Sequence, residues 1–247
     1  MKERLNKWLS HAGIASRRQA DLLITSGRVK VNGEVIRELG TKIDPAIHHV
    51  YVDDHPIKPE RLVYWLVNKP RDYVCTNSDP DGRPRAIDLI PHVDQRVYTV
   101  GRLDLASEGL LLMTNDGNLA EQLMHPKYGI EKSYEVVVAG SPSKEDLQQL
   151  TDGIWLHEGK IKVKSVRRLR SSGTNTLLRI ILNEGKNREI RRLLAKLGHK
   201  VLRLKRVAIG SILLDRLPKG KSRRLTEHEL EALKKILENN RSKLAKS

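Results

Sequence analysis

One cysteine, Cys75, occurs in 247 residues, so no internal disulfide can form and a thiolate metal cage lacks its ligands. That usage fits a reducing cytoplasm. Long apolar runs are missing too. No stretch approaches the roughly 20 residues a membrane span needs, and the opening MKERLNKWLSHAG has no apolar core of the leader type. A cytoplasmic protein without membrane association is expected. Nucleotide motifs are absent: no GxGxxG follows a strand, and PKGKS at 218–222 imitates a phosphate loop but has Asp215 where the first glycine belongs. No G-x-S-x-G elbow is present. The nine histidines are scattered, and the adjacent His48 and His49 would point apart on a strand, so no metal site is expected. No repeat of solenoid period occurs. The expectation is a protein that works without cofactors.

Acidic residues are in deficit, 30 against 46 Lys and Arg, which leaves a net charge of +16. Polyanionic partners follow by default. Half of this excess falls in one window, Lys186 to Arg206, where nine basic residues (Lys186, Arg188, Arg191, Arg192, Lys196, Lys200, Arg203, Lys205, Arg206) face one acid, Glu189. A solvated helix face is the ordinary explanation of such a run. Its extension through a following strand favours a binding surface. Hydrophobic residues make up 38%, enough for a sizeable core.

The first segment reads as a small module, residues 1–54. Leu5, Trp8, Leu9 and Ala12 form a helical stripe closed by Gly13. Ser16 and Gln19 make a capping box for a second helix that buries Ala20, Leu23 and Ile24. Val29 and Val31 then alternate with Arg28 and Lys30 ahead of an Asn32-Gly33 hairpin turn. Arg17, Arg18, Arg28 and Lys30 are candidate phosphate contacts, although residues 1–60 carry ten basic and eight acidic residues, a net of only +2. Position, not net charge, would have to carry the effect. Residues 55–61, within DDHPIKPER, read as a linker.

A second domain is expected over 62–238. Strands are predicted at LVYWLVNKP, RVYTVGRL and SYEVVVAG, and as the pair IKVKSVRRLR and NTLLRIILN. Helices are predicted at Asn118–Met124, Lys144–Leu150 and Arg188–Leu197, with a last one after the Thr226–Glu229 capping box that buries Leu230, Leu233 and Leu237. Strands and helices do not alternate regularly, which predicts an α+β fold with a mixed, mostly antiparallel sheet. Residues 239–247 are expected to be a disordered basic tail.

VGRLDLASEGLLLMTNDG, residues 100–117, sets Arg102 and Asp104 two apart ahead of an apolar run. The two could pair on one face of a strand. Alternatively, Asp104 is a reactive carboxylate held at a strand end. In the later helix, taking Ile190, Leu193, Leu194 and Leu197 as the buried stripe puts Arg191 on its border and Arg192 on the opposite side, toward water or phosphate. A guanidinium beside Asp104 would help keep it ionised.

SRRQADLLITSGRVKVNG resembles the small RNA-binding domain shared with ribosomal small-subunit protein S-four. GRLDLASEGLLLMTNDG, KSYEVVV and EGKNREIRRLLAKLGHKVLRLKRVAIG, in that order, resemble the RsuA-type pseudouridine synthases over about residues 1–235. The resemblance implies isomerisation of uridine to pseudouridine in ribosomal RNA, with the target base flipped into a pocket. It implies that Asp104 is the essential catalytic residue, that Tyr134 of the K-x-Y motif stacks on the uracil or removes a proton, and that Arg191 is the third catalytic group. Arg102 and Leu204 are candidates for substrate contact. Lys186, Arg188, Arg192, Arg203, Lys205 and Arg206 join the N-terminal cations as candidate RNA contacts. The insert TNSDPDGRPRAIDLIP resembles the large-subunit, RluB-like branch. The partner implied is 23S ribosomal RNA or a partly assembled ribosomal subunit, met by a monomer. The rivals are a synthase for small-subunit 16S RNA, a non-catalytic ribosome-assembly factor that keeps the fold, and a DNA-binding regulator resting on the paired N-terminal helices alone.

Overall fold

A computed structural model describes residues 2–244, and they divide into two compact units. The first runs through Val63 and adds Val93–Val97 and Asn115–Gly117. Its helices are α1 (Leu5–His11) and α2 (Arg17–Thr25), and the expected Ser16–Gln19 capping box closes in both directions. Two strands, β1 (Glu3–Arg4) and β4 (Lys42–Ile43), form a pair. The others, β2 (Val29–Val31), β3 (Glu34–Ile36), β5 (Val50–Val52) and β6 (His55–Pro56), make a sheet in the order β3-β2-β5-β6. Asn32 and Gly33 turn the hairpin with positive φ at both positions, 52° and 92°. Leu5, Trp8, Leu9, Ala20 and Ile24 from the helices close on Val29, Val31, Ile43, Val50 and Val52 from the strands. Each fully buried large aliphatic side chain there contributes about 1.5–3 kcal/mol.

The linker expectation needs correction. His55 and Pro56 pair with β5, and Ile57 donates its N–H to the Val50 carbonyl and packs on the same core. Charge and proline made the stretch look unstructured, but a two-residue edge strand tolerates both.

The second unit carries a nine-stranded mixed sheet, mostly antiparallel as expected. One block comprises β7 (Tyr64–Lys69), β8 (Tyr98–Val100), β9 (Glu108–Thr114) and β17 (Ser222–Arg224). The other comprises β10 (Lys132–Ala139), β13 (Ser165–Ser172), β14 (Asn175–Leu182), β15 (Val201–Ile209) and β16 (Ile212–Leu213). They join through a single parallel seam of two rungs, Lys205 against Glu108 and Arg206 against Gly109. All seven residues of β9 are buried, which explains its continuous apolar run. Helices α3 (Gly117–Met124) and α6 (Glu227–Leu244) cover one face through Leu119, Leu123, Leu233 and Leu237. The remaining elements are α4 (Lys144–Asp152), the small hairpin β11 (Ile154–Leu156) and β12 (Gly159–Ile161), and α5 (Glu189–Lys196).

Helix α6 corrects the expected tail. It continues to Leu244, and Asn240 donates to the Tyr128 carbonyl at 2.7 Å, a tertiary contact that no local pattern reveals. Residues 245–247 of that expectation lie outside the described residues. No helix among the described residues is long and apolar enough to cross a membrane.

Candidate active site

The segment between β8 and β9 is not a strand, so the reading of Arg102 and Asp104 as a pair on one strand face fails. Asp104 sits on a loop that Gly101 begins and Ser107 ends, and its carbonyl accepts the Ser107 N–H at 2.9 Å. Its side chain keeps 30% of its surface exposed. The loop is fastened from below by Lys69, fully buried at the end of β7, whose ammonium donates to the carbonyls of Pro70 (2.8 Å) and Ser107 (2.9 Å). Burial pushes the Lys69 pKa down, opposed by the fields of Cys75, Asp72 and Asp104. Sequence reasoning missed this lysine. The one available signal was a cation closing an otherwise apolar strand.

A cleft of about 940 Å³ opens over this loop. Asp104, Arg102 and Leu105 line one wall. On the other side, Lys132 and Tyr134 come from β10, Leu204 and Arg206 from β15, and Arg188, Glu189 and Ile190 from the start of α5. Lys132 and Tyr134 are two apart and share a face of the sheet. Tyr134 stands opposite Arg206 in register, after a β-bulge at Ser133/Tyr134. Tyr134 is 7% and Leu204 6% exposed, so both present apolar surface within the cleft instead of to bulk water. Asp104, Tyr134 and Leu204 therefore line one cleft, whereas Arg191, expected with Asp104 and Tyr134 as the third catalytic group, is not among its lining residues.

The guanidinium nearest Asp104 is that of Arg188, at 3.8 Å, not Arg191. Arg188 precedes α5 in a left-handed backbone conformation (φ 48°), a kink that a helical wheel cannot place. Arg191 reaches past Asp104 to the Ala106 carbonyl (3.1 Å) and lies near Ser107 Oγ and the Val201 carbonyl. Burial and the neighbouring Arg188 lower the Arg191 pKa, while Asp104 acts in the opposite direction. Arg191 thus ties the Asp104 loop to β15, and Arg188 supplies the facing charge.

Several cations expected at a phosphate surface have internal partners. Arg206 is 3% exposed and donates through Nε to the Leu110 carbonyl at 2.7 Å. It is a buried strut, not a surface contact, and its buried Nη2 has no partner while the residue lines the cleft. Arg203 pairs with the buried Glu108, as does Lys219. Burial pushes the Glu108 pKa up, but these two cations outweigh it and the net direction is down. Arg192 pairs with Glu158, and Lys186 with Glu184 at 3.4 Å. Arg71, which sequence reasoning passed over, donates to the Leu202 carbonyl at 3.0 Å. Arg203 and Arg206 of β15 reach β9 across the two-rung seam, while Arg71, just after β7, and Arg191 of α5 bond β15 beside it. In the first unit Arg28 makes a bidentate pair with Asp53, and Lys30 pairs with Asp54, whereas Arg17 and Arg18 are exposed. Lys132, half-buried in the cleft wall, has its pKa lowered to about 8 by desolvation and by the charge of Arg206. Burial raises the Glu189 pKa.

A carboxylate on a fixed loop, an aromatic and apolar wall, and abundant guanidinium groups suit an anionic, flat substrate. The comparisons with known proteins agree. The family profile described as RNA pseudouridylate synthase matches residues 63–196, and the S4 domain profile matches 3–46. An uncharacterized RNA pseudouridine synthase of Aquifex aeolicus is 47% identical over 96% of each chain. The protein named ribosomal large subunit pseudouridine synthase B in Bacillus subtilis is 40% identical, covering 97% of this chain and 99% of its own. A crystal structure of a pseudouridylate synthase superposes with a TM-score of 0.65 at 31% identity, covering 93% of this chain and 99% of that one. With two ordered domains, a full-length likeness and this cleft, the chain belongs to the RNA pseudouridylate synthase family, as an RsuA-type isomerase carrying an S4 RNA-binding domain.

Proposed function

We propose that this synthase forms pseudouridine in large-subunit 23S ribosomal RNA, with Asp104 as the reacting carboxylate. The substrate assignment is supported by likeness along the whole chain to the Bacillus subtilis and Vibrio cholerae proteins named for the large subunit, at 40% and 39% identity. The site assignment is carried by one observation: Asp104 is partly exposed in the cleft on a loop pinned by buried Lys69 and by Arg191.

A uridine stacked in a helix cannot present its glycosidic bond to that carboxylate, so it is everted into the cleft. The reaction breaks the C1′–N1 bond, turns the uracil, and forms a C1′–C5 bond, with one proton leaving C5 and one gained at N1. No electrons are exchanged with a second reactant. Asp104 stabilises or captures the electron-poor centre as C1′ and N1 part, with the Arg188 guanidinium 3.8 Å away. Tyr134 and Leu204 hold the ring during its turn, and the Tyr134 hydroxyl is the group in the wall suited to take the C5 proton. Arg191 acts as a positioning residue through the Ala106 carbonyl. Arg102, exposed at the mouth, contacts the RNA backbone.

Mapping pseudouridine across both ribosomal RNAs, with and without the gene, tests this reading. A site lost from 23S RNA and restored by the wild-type gene is expected. Loss from 16S RNA, or from neither, would overturn it.

A further inference from the structure

Tryptophan is scarce here, and two of the three residues are buried: Trp8 is 5% and Trp65 7% exposed. Trp155, on β11, is 71% exposed. It stands opposite Lys160 of β12 in register, so both side chains leave the same face of the hairpin. Lys162 continues that face, since Ile161 and Val163 on either side of it are buried. Among the described residues no carboxylate pairs with Lys160 or Lys162, whereas Lys164, next along, pairs with Glu131.

The hairpin under this face is fixed. Ile154 and Ile161 point inward and are buried, the Val163 N–H bonds the Leu150 carbonyl at 2.9 Å, and Glu158 at the tip pairs with Arg192 of α5. That last pair joins the hairpin to the helix whose first turn lines the cleft. A rigid, flat indole flanked by unpaired cations loses little entropy on binding.

We propose that Trp155, with Lys160 and Lys162, is a stacking platform for an unpaired base of the substrate RNA, separate from the cleft that takes the target uridine. The lysines favour a polyanion over a protein surface, because lysine is depleted from the centres of protein interfaces. The indole favours an unpaired base over a duplex, whose bases already stack on one another. The platform rests on the reading of this protein as an RNA-modifying enzyme but does not depend on which ribosomal RNA is modified.

Two measurements test it. First, intrinsic fluorescence of the full-length protein is titrated with single-stranded oligouridylate and with a blunt RNA duplex, taking the Trp155→Phe variant as the reference for the two buried indoles. The single strand should quench the Trp155 signal and shield it from acrylamide, and the duplex should not. Second, affinity for a full-length 23S transcript should fall roughly 5- to 150-fold in Trp155→Ala and stay within about threefold in Trp155→Phe, which keeps a stacking face. Turnover of Trp155→Ala at saturating RNA should match wild type. Unaltered acrylamide access in the presence of oligouridylate, or unchanged affinity in Trp155→Ala, would overturn the proposal. If the 23S transcript is not a substrate of the wild-type enzyme, the substrate reading fails, while the oligouridylate titration still decides the platform.

Discussion

Gly109→Ala should damage this protein far more than one methyl group suggests. Gly109 sits in the seam with φ of +105°, and a Cβ there would lie 2.2 Å from the Arg206 carbonyl oxygen and 2.8 Å from its nitrogen. Both atoms are backbone and cannot rotate away. Two costs add: the strained backbone, about 1–3 kcal/mol, and the separation of β9 from β15 to relieve the collision, about 1–3 kcal/mol. Their sum of about 2–6 kcal/mol corresponds to a fall in Tm of roughly 4–24 °C for a chain of this size. Gly159→Ala is the matched control. Its φ is +117°, but nothing lies within 4 Å of a Cβ, so it carries the backbone cost alone. Thermal denaturation followed by circular dichroism compares the two variants with wild type. Gly109→Ala should lose at least about 2 °C more than Gly159→Ala, and its kcat should be reduced even at temperatures where it is fully folded, because the seam underlies the cleft. Equal Tm values for the two variants would refute the collision argument.

Asp104→Asn should abolish pseudouridine formation while RNA affinity stays within a few fold, since phosphate contacts dominate binding; full turnover in a tritium-release assay would remove Asp104 from the chemistry. Arg17→Glu with Arg18→Glu should reduce the slope of log affinity against log salt by about 0.7–0.9 for each phosphate no longer neutralised, and an unchanged slope would exclude the exposed start of α2 from the RNA interface. Hydrogen bonding from Arg223, at 2.7 Å to each carboxylate oxygen, holds the Glu229 pKa down to about 2, against an ordinary value of 4.5. Because this pKa is depressed in the folded state, the pair's stabilisation is complete above about pH 4.5 and disappears as pH falls toward 2. Glu229→Gln should therefore lose on the order of 1–2 kcal/mol in urea denaturation at pH 7, less than the whole shift because water screens the partly exposed pair, with the gap closing near pH 2; a gap independent of pH would contradict the assignment.

The repeating parts of the fold were legible because they obey local rules. The Ser16–Gln19 box, the Asn32-Gly33 hairpin and the buried Ile190, Leu193 and Leu194 of α5 all follow from spacing. Asp104, Tyr134 and Leu204 were named from motifs and do share a cleft. The arginines were misjudged, because a charge count cannot tell a guanidinium facing solvent from one donating to a carbonyl 96 residues away, as Arg206 does to Leu110. Arg188 was assigned to phosphate, yet it faces Asp104 because the chain enters a left-handed conformation just before the helix. Lys69 and the continuation of α6 past residue 239 depend on partners remote in sequence, Ser107 and Tyr128, and no window of neighbours contains them.

The two-rung joint has a mechanical consequence. Asp104 belongs to one slab of the sheet and Tyr134 to the other, so any nucleoside seated between them acts as one more strap across a narrow hinge. Occupancy should stiffen the enzyme as well as position the reactants, and amides at the joint should exchange with deuterium more slowly when RNA is bound.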